Sequence, residues 1–151
     1  MKTIALILLI GLLPASKNAL GQKANTGFDH IALQVSDLQK SIAFYQGFVG
    51  LDTIPEPFHD GLHKWFALSA TSQFHLIETP GSQPVIPGKH LHFCFSIPSV
   101  DNLVMRLKQA GIPFEDWPGK KQSITIRPDG VKQIYLQDPD GYWIELNDNH
   151  R

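Results

Sequence analysis

The chain has 151 residues, 42% of them hydrophobic and 18% charged, with a formal net charge of -1. That length suits one globular domain or two small modules sharing a core. The near-neutral balance without a basic block excludes nucleic acid as a partner, and a single cysteine, Cys94, excludes an intrachain disulfide framework.

Residues 1–21 read as a secretory signal: Lys2, then an apolar run of about a dozen residues, then Ala19-Leu20-Gly21 as a small-x-small cleavage site. The run is shorter than the roughly 20 residues a spanning helix needs. The expectation is therefore cleavage, no stable membrane insertion afterwards, and an exported chain, periplasmic or secreted. Residues 22–27 read as a linker, and 28–148 as one domain of two modules.

Module one covers 28–80. Residues 28–35 alternate as a strand does, with Ile31, Leu33 and Val35 on one face and His30, Ala32 and Gln34 on the other. Ser36 or Asp37 caps a helix over 38–46, carried by Leu38, Ile42, Ala43 and Tyr45 and broken by Gly47 and Gly50. A short strand at 51–56 ends at Pro55 and Pro57, residues 57–62 form a loop, and strands follow at 63–69 and 73–79. The order is β-α-β-β-β. Residues 80–88, rich in Pro and Gly, connect the modules.

Module two, 89–148, repeats the order. The strand at 90–97 puts His92, Cys94 and Ser96 on one face and Phe93, Phe95 and Ile97 on the other. The helix at 100–110 carries Val100, Leu103, Val104, Leu107 and Ala110 as one stripe and stops at Gly111. Extended segments follow at 113–117, 122–127 and 132–137, the first with no assigned place in the sheet. Asp138-Pro139-Asp140-Gly141 is a tight turn, and 142–146 is the closing strand.

His30 opens the first module and His92 the second. Each module closes on an Ile-Glu pair, Ile77-Glu78 and Ile144-Glu145. Taken singly, each is an ordinary polar strand residue; the signal lies in the repeat. Equivalent strands facing each other across a pseudo-two-fold axis would gather His30, Glu78, His92 and Glu145. Two imidazoles and two carboxylates suit a borderline divalent metal with open positions, and not a closed thiolate-rich zinc site. His90, two residues before His92 on the same face, is an alternative ligand, although the repeat selects His92. His75 points opposite to Glu78 and reads as surface or packing. His59 and His63 flank a loop, His150 lies in the tail, and Cys94 reads as a small buried thiol.

Asp29-His30-Ile31-Ala32-Leu33-Gln34-Val35-Ser36-Asp37-Leu38, Ser41-Ile42-Ala43-Phe44-Tyr45 with Gly50-Leu51, His92-Phe93-Cys94-Phe95 and Asp138-Pro139-Asp140-Gly141-Tyr142-Trp143-Ile144-Glu145-Leu146 resemble the vicinal oxygen chelate superfamily. That superfamily contains glyoxalase I, bleomycin resistance and fosfomycin-resistance proteins and extradiol dioxygenases. The resemblance covers about 27–148. It implies an α+β fold of two βαβββ modules forming a cup-shaped mixed sheet around a divalent metal (Zn, Ni, Co, Mn or Fe), with His30, Glu78, His92 and Glu145 as ligands.

The quartet is similar to that of bacterial glyoxalase I. It implies a lyase or isomerase acting on a small oxygenated substrate through a metal-stabilised enediolate. Glu145 would be the base, and Glu78 its counterpart for returning the proton. Trp143, Phe74 and Leu76 are the expected substrate-facing apolar walls, or else ordinary core. The triad His30, His92 and Glu145 also resembles that of extradiol dioxygenases and fosfomycin-resistance proteins, which implies an Fe(II) dioxygenase as an alternative. A third reading is a non-catalytic small-molecule (antibiotic) binder. The resemblance further implies a homodimer, with sites formed within or between chains.

Overall fold

The computed structural model describes residues 27–83 and 88–149. The expected signal at 1–21, the linker up to residue 26 and His150 lie outside the described residues.

Module one opens with β1 (His30–Val35), followed by α1 (Leu38–Phe44). Asp37 caps α1 through Oδ1, which accepts from the Lys40 amide at 3.0 Å. α1 runs directly into a π-helical turn, Tyr45–Val49, so the helical stretch is longer than the alternation suggests. Gly50, at φ 86°, closes it in a left-handed conformation that a Cβ would disfavour. Then come β2 (Thr53–Ile54), β3 (His63–Ala67) and β4 (Gln73–Glu78). Module two repeats the order with β5 (His92–Ser96), α2 (Val100–Ala110), β6 (Thr125–Ile126), β7 (Lys132–Gln137) and β8 (Trp143–Asn147).

The sheets are ordered β1-β4-β3-β2 and β5-β8-β7-β6. β1 is parallel to β4 and β5 to β8; the other pairings are antiparallel. The α+β fold of two βαβββ modules is thus the one expected. The strands expected at 51–56 and 122–127 shrink to two residues each. The segment at 113–117 joins only through Glu115, whose backbone bridges Tyr135 and Lys121.

The aliphatic face of β1 does as its alternation predicts: Leu33 and Val35 are buried with Phe44, Tyr45, Phe74 and Leu76 in a core continuous with Ile97, Leu103 and Leu146 of module two. Phe74 of β4 meets Phe95 of β5 edge to face at 5.9 Å. The sides of the two sheets that lack the histidines therefore turn toward one another, and the His30 and His92 faces look away from the shared core. Consequently, no group of three or more His, Cys, Asp or Glu side chains that could hold a metal ion forms within one chain among the described residues. The expected quartet does not form within a single chain.

A buried polar clamp locks the modules. The Ser36 amide and hydroxyl each donate to Asp140 Oδ1 at 2.7 Å, and the Ser41 hydroxyl donates to Asp140 Oδ2 at 3.0 Å. The Tyr45 hydroxyl donates to Asp138 Oδ2 at 2.7 Å. Asp138 Oδ1 meanwhile accepts from the amides of Asp140 and Tyr142, shaping the turn itself. The Asp138–Gly141 turn therefore joins two strands and also ties module two to the start of α1.

Candidate metal centre

The better-formed half of a site lies on β5 and β8. In the parallel register Cys94 pairs with Glu145 and His92 with Trp143, so His92, Cys94, Trp143 and Glu145 share one face. His92 Nε2 approaches Glu145 Oε2 at 3.2 Å. His92 Nδ1 lies 2.9 Å from the Lys89 carbonyl. A carbonyl only accepts, so Nδ1 carries the hydrogen and the Nε2 lone pair points at the carboxylate. Two acceptors facing each other at this distance are reconciled by a proton or a cation between them.

Glu145 is held as firmly. The Tyr135 hydroxyl donates to Oε2 at 2.5 Å, while Asn147 Nδ2 at 3.0 Å and Cys94 Sγ at 3.3 Å donate to Oε1. Burial opposes ionisation of Glu145, but the hydrogen bonds from Tyr135, Asn147 and Cys94 outweigh it and hold the carboxyl below its ordinary range. Cys94 is exposed on this face and is not the buried thiol the sequence suggests. Local desolvation and the Glu145 carboxylate push its thiol up to about 12, so it stays protonated and donates.

The other half lies on β1. His30 Nδ1 sits 2.6 Å from Asp29 Oδ2, which leaves Nε2 free. The ring stacks on His75 at 4.4 Å, and His75 stacks in turn on Trp65 at 4.0 Å. Burial, then the neighbouring His30, holds His75 below the ordinary imidazole range, and its Nε2 is engaged by Gln73 Oε1 at 2.8 Å. His75 thus packs under His30. A concavity of about 440 Å³ opens beside the stack, bounded by Phe58, His63, Trp65 and Ile77. Trp65 Nε1 is buried at its wall without an acceptor among the described residues.

Glu78 is not part of this face. β4 pairs with β1 as Ala32↔His75 and Val35↔Glu78, so Glu78 shares the inward face of Val35. Its Oε2 accepts from the Leu38 amide at 2.8 Å, satisfying a free donor in the first turn of α1. Measured from the partner of the leading histidine, the residue equivalent to Glu145 is His75, because His92 pairs with Trp143 and His30 with Gln73. Phe74 and Leu76, expected as substrate walls, are fully buried in the core beside Glu78. Trp143 does stand on the Glu145 face, where its ring is covered by the Lys89 ammonium at 5.3 Å. His90 lies in the turn before β5, exposed and edge-on to Trp117 at 5.1 Å.

The donors present fit a divalent cation. His30 and His92 each offer Nε2 with Nδ1 anchored by an acceptor, the arrangement that orients metal-bound imidazoles, and Glu145 supplies a hydrogen-bonded carboxylate. Tyr135, Asn147 and Lys89, which support these groups, were not singled out from the sequence. The alternation of β7 and β8 placed Tyr135 and Asn147 on the right faces, but only the pairing of Tyr135 with Glu145 reveals the contact.

The family model described as Glyoxalase/Bleomycin resistance protein/Dioxygenase superfamily matches residues 27–146. The chain is 29% identical over 126 residues to the glutathione transferase FosA of Serratia marcescens, covering 79% of this chain and 78% of that one. It is 23% identical over 158 residues to the lactoylglutathione lyase of Pseudomonas aeruginosa, covering 79% and 80%. Among solved structures, the fosfomycin resistance protein FosX of Listeria monocytogenes, complexed with Mn(II), aligns with a TM-score of 0.62 at 26% identity, over 83% of this chain and 91% of that one.

Proposed function

The chain belongs to the Glyoxalase/Bleomycin resistance protein/Dioxygenase superfamily, and we propose that it is a metal-dependent enzyme acting on a small oxygenated substrate. Its centre is built from His30 of one protomer with His92 and Glu145 of a second copy. The observation that carries this reading is the 3.2 Å approach of His92 Nε2 to Glu145 Oε2, both groups fixed from behind and placed to share a proton or a cation. The outward orientation of the two half-sites supports a homodimer, since one chain does not bring them together.

A divalent ion bound there supplies Lewis-acid polarisation of a substrate oxygen. The chain's own residues do the rest. Asp29 and the Lys89 carbonyl hold the two imidazoles in the Nδ1–H form. Tyr135, Asn147 and Cys94 occupy both oxygens of Glu145, which suits a fixed ligand better than a mobile base. The concavity beside His30, walled by Trp65 and Phe58, receives the substrate.

Two histidines and one glutamate are a three-ligand set. The isomerisation expected from a quartet moves a proton between two carboxylates, and Glu78, the second of them, caps α1 instead. We therefore favour transfer of a thiol to a substrate held through its oxygens, in line with the likeness to the glutathione transferase of Serratia marcescens. The same set also suits Fe(II) oxygen chemistry.

Elemental analysis of the purified protein, followed by assays with thiol plus epoxide, 2-oxoaldehyde–thiol adducts and catechols, tests the reading. Stoichiometric metal with thiol addition supports it. Metal with oxygen uptake on catechols selects the dioxygenase. A folded protein that takes up no divalent metal overturns it in favour of a binding role. The leader at 1–21 supports export, and the mass of the protein recovered from a bacterial periplasm tests cleavage after Gly21. No helix among the described residues is long and apolar enough to cross a membrane.

A further inference from the structure

Glu115 belongs to the segment the sequence left without a place, and it stands behind both groups of the His92–Glu145 pair. Its backbone exchanges two hydrogen bonds with Tyr135, each at 2.8 Å, and the Tyr135 hydroxyl donates to Glu145. Its carboxylate is nine-tenths buried, with Oε1 at 2.5 Å from Lys89 Nζ and Oε2 at 2.5 Å from Lys121 Nζ. Lys89 Nζ also donates to the Asp116 carbonyl at 3.0 Å and lies over the rings of Trp143, Tyr135 and Trp117. The carbonyl of this same Lys89 accepts from His92 Nδ1.

Lys89 follows the Pro- and Gly-rich connector, a composition that by itself does not fix a backbone carbonyl. A long lysine pinned at its far end does fix it. A buried carboxylate is costly unless paired, and here its pairing holds the residue that selects the tautomer of His92. We infer that Glu115 is the positioning residue of the centre: through Lys89 it locks His92 with Nε2 aimed at Glu145, and through Tyr135 it orients Glu145. The metal arm of this inference rests on the function proposed above. The tautomer arm does not.

The test uses the full chain with ¹⁵N-labelled histidine. Long-range ¹H–¹⁵N spectra of metal-free protein report the His92 tautomer, the signal being assigned by its loss in His92→Asn. Co(II) titration, followed by visible absorption, reports affinity. In wild type Nδ1 carries a hydrogen throughout, whether Nε2 is bare or shares a proton with Glu145. In Glu115→Gln both tautomers appear and the Co(II) dissociation constant rises about tenfold or more, the scale on which outer-sphere partners act. Lys89→Met, which keeps the carbonyl and removes the anchor, gives the same two changes and decides the matter should Glu115→Gln fail to fold.

A folded Glu115→Gln or Lys89→Met protein with the wild-type His92 spectrum and Co(II) affinity overturns the inference. If wild type itself takes up no Co(II), the proposed function fails, and the tautomer spectra alone judge Glu115. A single Nδ1–H form lost in Lys89→Met upholds its role, and the same form retained there refutes it.

Discussion

Tyr45→Phe isolates the clamp between the modules. Tyr45 is fully buried and its hydroxyl donates to Asp138 Oδ2 at 2.7 Å, so the substitution removes one oxygen and opens no substantial cavity. Burial pushes Asp138 above its ordinary carboxyl range against the pull of hydrogen bonds from Tyr45 and from the amides of Tyr142 and Asp140. A hydrogen bond to a charged group contributes about 1.5–3 kcal/mol, and one between neutral groups about 0.5–1.5 kcal/mol. With Asp138 ionised, the loss should be about 2 kcal/mol. With a urea slope of about 2 kcal/mol/M, that moves the unfolding midpoint down by about 1 M.

An acid whose folded pKa is raised is stabilising while protonated, and that contribution is lost as pH rises through the folded pKa. Removing the Tyr45 hydroxyl raises the folded pKa of Asp138 further, so the penalty is larger at pH 7.5 than near pH 4. Urea titrations of both proteins at the two pH values, followed by circular dichroism, check this. An unchanged midpoint at pH 7.5, or an equal shift at both pH values, refutes the account of the clamp.

Asp140→Ala strips the acceptor from the Ser36 amide and from two hydroxyls at a buried site, and should cost about 3–5 kcal/mol by the same denaturation assay. Glu78→Gln should lower stability by about 1 kcal/mol through the weakened first turn of α1, while leaving metal content by elemental analysis at the wild-type level. Loss of metal there would restore the four-ligand centre. Trp65→Phe discards a buried donor that has no acceptor among the described residues, and should cost less than about 1 kcal/mol in chemical denaturation, far below a truncation to Ala.

Most of the fold was legible because it rests on local pattern. Leu33 and Val35 alternate against His30, Val100, Leu103 and Leu107 recur at helical spacing, and Gly111 stops α2 in the left-handed conformation. The shared face of His92 and Glu145 was legible for the same reason, since both lie on strands whose alternation is clean. Module one misled because matching the two Ile-Glu pairs aligns letters, whereas the sheet aligns positions. The apolar core residues Phe74 and Leu76 correspond to Ile144 and Leu146, which makes His75 the counterpart of Glu145 and sends Glu78 to α1. Asp138-Pro139-Asp140-Gly141 announced a turn, but its bonds to Tyr45 and Ser36 span 93 and 104 residues and have no local signature. Glu115 was invisible for the same reason: its partners Lys89 and Tyr135 are neighbours only after folding.

A centre shared by two copies of the chain is tested most directly by mixing two inactive variants. His30→Ala removes the module-one ligand and Glu145→Gln the module-two carboxylate, so neither protein alone should hold stoichiometric metal. After joint refolding, a dimer of one chain of each kind contains one site with its three ligands intact and one lacking both altered side chains. Bound metal, measured by elemental analysis, should then recover to about a quarter of the wild-type level if chains pair at random in a two-fold dimer. No recovery, with mixed dimers demonstrated by mass spectrometry, would contradict the shared centre.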